Sequence, residues 1–172
     1  MEIKRVWAMP NKYTFTIKPI IELINSYCNG GKNWVDPMSG FNSPAEITND
    51  GNLDSPAKFH KDALEFLKEI PDVSITGVIF DPPYSYEKAK RLYKVKYPDT
   101  QVFFNYIRNC KKECCRIVKP GGYAILCGWN SNGLGMKNGF KLLEVLIVPH
   151  GWQKGDTIVT VERKMNRRLD EG

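Results

Sequence analysis

Residues Val78 to Tyr97 read VIFDPPYSYEKAKRLYKVKY, and the architecture of the chain turns on them. The apolar run Thr76–Phe80 predicts a buried strand, and it ends at Asp81-Pro82-Pro83-Tyr84. Proline has no N–H to give a sheet ladder, so the strand must stop there. The four residues form a stiff corner presenting one carboxylate, one proline carbonyl and one aromatic ring in a fixed order. Asp and Pro are also common turn residues, and a plain strand-ending turn is the alternative reading of these four positions.

On the N-terminal side, apolar residues at Ile20, Ile21, Leu23 and Ile24 predict a helix over Lys18–Tyr27, with Pro19 suited to its first turn. Asn33–Val35 and Ala45–Thr48 read as short strands, and Ser55–Glu69 as a helix ended by Pro71-Asp72. On the C-terminal side, Gln101–Val118 predicts the longest helix, closed by KPGG with Gly121 in the left-handed position beyond its end. YAILCGW then reads as a buried strand, and Lys141–Pro149 with Asp156–Lys164 as an antiparallel hairpin. Strands alternating with helices and ending in a hairpin predict an α/β fold, mostly parallel with one reversed edge strand. Such sheets bind ligands at the carboxyl ends of their strands. Asp36, Asp50 and Asp81 fall at those ends, with Asp62 in the helix after Asp50. Any one of them could be a turn residue or a helix cap; their alignment along one edge suggests a site.

The chain has 172 residues, 42% of them apolar and 26% charged, so one domain spanning 1–172 with a substantial core is expected. No apolar run approaches the roughly 20 residues of a membrane span, and the N-terminus lacks a signal-peptide core, which predicts a cytoplasmic protein. The formal charge of +6 suits a polyanionic partner. Five cysteines without a CxxC pair, and only two histidines, predict no metal site. Cys110 and Cys114 share a helix face with Phe103, Ile107 and Ile117 and are expected in the core.

DPPY at Asp81–Tyr84 resembles the catalytic motif of the class I S-adenosylmethionine-dependent amino-methyltransferases, specifically the N6-adenine DNA methyltransferases. VDPMSG at Val35–Gly40 is similar to their cofactor loop, and TFTIKPIIELI at Thr14–Ile24 to the segment closing over the methionine end of the cofactor. TND at Thr48–Asp50 resembles the acidic strand end that holds the ribose, and KDALEFL at Lys61–Leu67 the element beside the cofactor adenine. KPGGYAILCG resembles the strand after the catalytic motif, so the likeness covers about residues 13–165. It implies a Rossmann-like sheet with a C-terminal antiparallel hairpin and S-adenosylmethionine as cofactor. It further implies that Phe15, Thr16, Ile17, Asp36, Pro37, Met38, Ser39, Gly40, Asp50, Asp62, Ala63 and Asp81 bind the cofactor. There are two departures. Asn42 replaces the loop's second glycine, a position Asn suits if it is left-handed, and only 14 positions separate Asp36 from Asp50. The first crossover helix must therefore be a single turn or absent. No insertion accommodates a target-recognition domain, which leaves specificity to a second copy of the chain or to a separate partner.

An exocyclic amino nitrogen is a poor nucleophile because its lone pair is delocalised into the ring. The Asp81 carboxylate and Pro82 carbonyl can accept its N–H groups, the prolines keep both rigid, and Tyr84 can stack on an unpaired base. Asp81, Pro82, Pro83 and Tyr84 are thus the catalytic candidates. The motif's aspartate implies adenine in DNA; RNA methylation at adenine N6 or guanine N2, and a non-catalytic nucleic-acid-binding module, are the alternatives. The basic segment directly after the corner carries Tyr86, Lys88, Lys90, Arg91 and Lys94, expected to meet a nucleic-acid backbone, with a solvated helix face as the plainer alternative.

Overall fold

The structure is a computed structural model that describes residues 1–93, 98–151 and 155–166. Its strands are β1 Glu2–Arg5, β2 Trp34–Asp36, β3 Ile47–Thr48, β4 Ile75–Phe80, β5 Val118–Gly128, β6 Phe140–Val148 and β7 Thr157–Lys164. Its helices are α1 Lys18–Cys28, α2 Ala63–Glu69, α3 Tyr86–Tyr93 and α4 Thr100–Ile117. The strands form one seven-stranded sheet in the order β1-β6-β7-β5-β4-β2-β3. Only β7 runs against the others, antiparallel to both β5 and β6.

Alternation along the central strands builds a core on each face. Ile79, Ile125 and Cys127 point to one side and pack with Ile20 and Ile24 of α1. Val78, Phe80, Ala124 and Leu126 point to the other and pack with Phe66 and Leu67 of α2 and Cys110, Cys114 and Ile117 of α4. The expected core placement of Cys110 and Cys114 is met, and both are fully buried. No helix among the described residues is long and apolar enough to cross a membrane.

The sheet is as expected in class, with the hairpin in place, but β7 is not an edge strand. It lies between β5 and β6, and both of its faces are buried: Val159 and Val161 on one side, Thr160 and Glu162 on the other. The true edge beyond β6 is β1, whose EIKR is exposed at every position and so carries no alternation to read. The helix expected over Ser55–Glu69 shrinks to Ala63–Glu69, because Asp62 caps it by accepting from Leu64 N (2.9 Å) and Glu65 N (3.1 Å). The residues before it instead run back along the sheet edge, where Phe59 N donates to Thr48 O (3.1 Å) and Asp50 N to Phe59 O (3.0 Å). No helix separates β2 from β3, as the short spacing required. Gly121 takes its left-handed conformation (φ 79°) within β5 rather than beyond a helix end, since the strand begins directly at Val118.

One close approach ties the centre of the sheet to α1's face. Trp34 lies flat against Gly77 of the neighbouring strand, and a Cβ there would meet its ring at 2.6 Å. Trp34 is fully enclosed and stacks with Tyr123 at 6.4 Å, so it has no room to yield. Gly77→Ala is expected to destabilise the fold by about 1–3 kcal/mol through overpacking, read as a lower denaturation midpoint at unchanged m-value.

Candidate active site

The carboxyl ends of β2, β3 and β4 converge because these strands are neighbours, β2 between the other two. Asp36 ends β2 and is buried. Its carboxylate accepts from Met38 N (3.1 Å) and Ser43 Oγ (2.6 Å), turning the chain after the strand into a tight loop. Burial pushes the Asp36 carboxyl up to about 8, against the pull of those two donors. Asp50, just past β3, is also buried and accepts from Gly40 N and Asn52 N, each at 2.8 Å. The two acids bracket the Pro37–Gly40 loop from below. Gly40 carries the loop's positive φ (55°), and Asn42 does not adopt the left-handed conformation its sequence position suggested.

Two connected recesses open above this loop. The larger, about 280 Å³, is lined by Pro37, Met38, His60, Asp62, Ala63 and Tyr106, among others. Asp62 uses one oxygen for its helix cap and the other to accept from Tyr106 Oη at 2.9 Å. The smaller, about 100 Å³, is lined by Thr14, Phe15, Ser39, Gly40, Asp81 and Pro82, and shares Met38 and Pro83 with the larger. The Ser39 hydroxyl, in this smaller recess, is buried and has no protein partner. A buried hydroxyl left unpaired is costly.

Asp81 stands where the smaller recess meets the corner that ends β4. Its carboxylate accepts from Tyr84 Oη at 2.8 Å, and the Thr14 hydroxyl also bonds to it. Burial pushes its carboxyl above the usual range; the Thr14 and Tyr84 hydroxyls and the Lys88 ammonium act in the opposite direction. Burial likewise raises the Tyr84 hydroxyl well above its ordinary value, with the Asp81 charge adding to it. On the far side of the corner lies a cavity of about 390 Å³, walled by Pro82, Pro83, Tyr84, Phe104 and Trp129. Trp129, at the end of β5, meets the Tyr84 ring edge-on at 5.7 Å.

The structure therefore brings Phe15, Met38, Ser39, Gly40 and Asp81–Pro83 together around one recess, and Pro37, Asp62 and Ala63 around the other. Asp36 and Asp50 lie beneath both and line neither. Thr16 is exposed, its hydroxyl bonded to Tyr13 O, and Ile17 points into the core. Of the basic segment, Lys90 is exposed, Tyr86 packs on Phe103 at 6.2 Å, and Lys88 folds back over Tyr84; the Arg91 side chain and Lys94 lie outside the described residues. Sequence reading missed Tyr106 and Trp129, and named Thr14 only as the start of the segment over the methionine end of the cofactor. The aromatic at the end of YAILCGW was a usable signal, since that strand neighbours β4.

No protein-family profile matches the chain. Over 100 residues, 55% of its length, it is 30% identical to the type II methyltransferase M.BamHI of Bacillus amyloliquefaciens, and it spans about a quarter of that relative (23%). Among solved structures, TrmN from Thermus thermophilus superposes with a TM-score of 0.59 at 14% identity, over 87% of this chain and 49% of that one. The 1,6-didemethyltoxoflavin-N1-methyltransferase of Burkholderia thailandensis, crystallised with S-adenosylhomocysteine, gives 0.56 at 11% identity over 87% and 78%. The fold is that of the class I methyltransferases. At these identities the likeness carries the arrangement of strands and not the chemistry.

The buried Asp36 makes a testable signature. Its folded-state carboxyl lies above the unfolded value, so its favourable contribution is complete below about pH 3.8 and is lost as pH rises towards about 8. Wild-type thermal stability should fall between pH 5 and 8 more steeply than that of Asp36→Asn, which carries no charge to bury. Parallel slopes for the two proteins would show that Asp36 is already ionised at pH 5.

Proposed function

We propose that the chain transfers the methyl group of S-adenosylmethionine to the exocyclic N6 of adenine in DNA. The observation that carries this reading is the Asp81–Tyr84 corner, set between paired recesses on one side and an aromatic-walled cavity on the other. The identity with a type II methyltransferase over 100 residues supports the same reaction class.

The recesses fit the cofactor in two respects: the unpaired Ser39 hydroxyl offers a donor to a polar ligand group, and Asp62 offers an acceptor within a partly apolar pocket. Pro37, Met38, Asp62 and Ala63 would hold the adenosine end; Phe15, Ser39 and Gly40 would hold the methionine end. Once bound, the cofactor supplies an electrophilic sulfonium methyl group. Asp50 keeps the Met38–Gly40 backbone in place through Gly40 N. Pro82 and Pro83 fix the backbone that carries Asp81 and the direction of the Pro82 carbonyl. The Asp81 carboxylate and that carbonyl accept the N–H groups of the target amine and favour its tetrahedral, nucleophilic form. Thr14 and Tyr84 orient the carboxylate, while the Tyr84 ring and Trp129 offer surfaces to an unpaired or extruded base. Lys90, with Arg91 and Lys94, would meet the backbone phosphates.

Two measurements test this. Calorimetry with S-adenosylhomocysteine should show binding that weakens in Asp50→Ala, because the loop loses its tie; unchanged affinity would mean that the ligand sits elsewhere. Asp81→Ala should slow transfer of radiolabelled methyl to nucleic acid by roughly 10²–10³-fold, as the loss of one transition-state acceptor does. Tyr84→Ala should cost roughly 1–3 kcal/mol in base stacking, whereas Tyr84→Phe should cost about 1 kcal/mol, the net worth of its hydrogen bond to Asp81. Equal labelling by wild type and Asp81→Ala would refute the mechanism.

A further inference from the structure

Lys88 does not lie where a phosphate-binding lysine would. It sits in the first turn of α3, whose start is pinned by Ser85: Lys88 N donates to Ser85 Oγ at 3.1 Å and Ala89 N to Ser85 O at 3.0 Å. Ala89 is buried beside it, so the backbone at this position is held directly behind the catalytic corner. The side chain is half-buried and turns back, placing Nζ 4.4 Å from the centroid of the Tyr84 ring. It thereby lines the smaller recess together with Ser39, Gly40, Asp81 and Pro82. Its ammonium also interacts with the Asp81 carboxylate. Lys12, the other lysine of that recess, is exposed and lies over Tyr13 instead, at 4.6 Å.

An amine on the Tyr84 ring, in the recess that Asp81 and Pro82 also line, sits among the groups assigned above to the reaction. We propose that Lys88 is a methylation site of this protein, modified in its own active site when no nucleic-acid acceptor is present. The inference rests on the cofactor reading above. The ammonium first releases a proton to solvent at the open mouth of the recess. The neutral Nζ then forms its bond to the methyl carbon as the sulfur–methyl bond breaks. S-adenosylhomocysteine leaves, and the product is the methylammonium. The methyl group adds bulk on the Tyr84 ring face, so modification would compete with base stacking there.

The experiment incubates the full chain with S-adenosylmethionine bearing a deuterated methyl group, without nucleic acid, and maps the peptides by mass spectrometry. The expected result is label on Lys88 and not on Lys12, at a first-order rate independent of protein concentration, absent in Lys88→Arg and roughly a hundredfold slower in Asp81→Ala. A second readout needs no turnover: S-adenosylhomocysteine should slow acetylation of Lys88 by acetic anhydride more than that of Lys12. Cofactor binding by calorimetry together with an unlabelled, unprotected Lys88 would overturn this proposal and leave the proposed function standing. Absence of cofactor binding would overturn both.

Discussion

Two buried carboxylates, each turned towards backbone N–H groups rather than towards solvent, hold the ligand-facing edge in shape. Asp36 accepts from Met38 N and Asp50 from Gly40 N, so the loop after β2 is suspended between the ends of two neighbouring strands. Everything above the loop relies on that suspension: the pair of recesses, the place of Ser39 in the wall of one of them, and the distance between the loop and Asp81. Burial makes the arrangement electrostatically expensive for Asp36 and pushes its carboxyl above the usual range. The loop has no crossover helix to brace it, and the hydrogen bonds its N–H groups give to these acids, with the one Asn49 Nδ2 donates to Pro37 O at 3.0 Å, take that role.

The corner after β4 adds a second constraint of a different kind. It is covalent rather than electrostatic: Pro82 and Pro83 remove two backbone donors and restrict φ, so the strand cannot continue, while the Tyr84 and Thr14 hydroxyls hold the Asp81 carboxylate. The sheet order then gives the corner its neighbours. β2 on one side supplies the Pro37–Gly40 loop, and β5 on the other supplies Trp129. Because β4 lies between those two strands, the corner has the Pro37–Gly40 loop on one side and Trp129 on the other.

Much of this could be read from the residues. The apolar runs TGVIF and YAILC, the proline pair and the spacing of the acids carry the central strands, their parallel sense and the edge where the recesses open. Four things could not be read. β1 has no apolar face, since the pairing of Glu2–Arg5 with β6 is made by the backbone. The stretch before Asp62 looked helical by composition, but the Asp62 cap and the return of Phe59 to β3 overrule local propensity with tertiary hydrogen bonds. The direction of the buried acids was also hidden: sequence places Asp36 and Asp50 at the edge, and only the fold turns their oxygens down to the loop. Lys88 belongs with these. As one charge in a basic run it reads as a phosphate contact, and its position over Tyr84 follows from the Ser85 cap that starts α3 behind the corner.

The proposed chemistry stands or falls on the identity of the methylated product. The full chain would be incubated with labelled S-adenosylmethionine and a mixture of duplex DNA, single-stranded DNA and RNA, and each polymer digested to nucleosides for mass spectrometry. Label is predicted in N6-methyladenine from DNA. Label confined to an RNA nucleoside, to a cytosine product or to no nucleoside at all would contradict it.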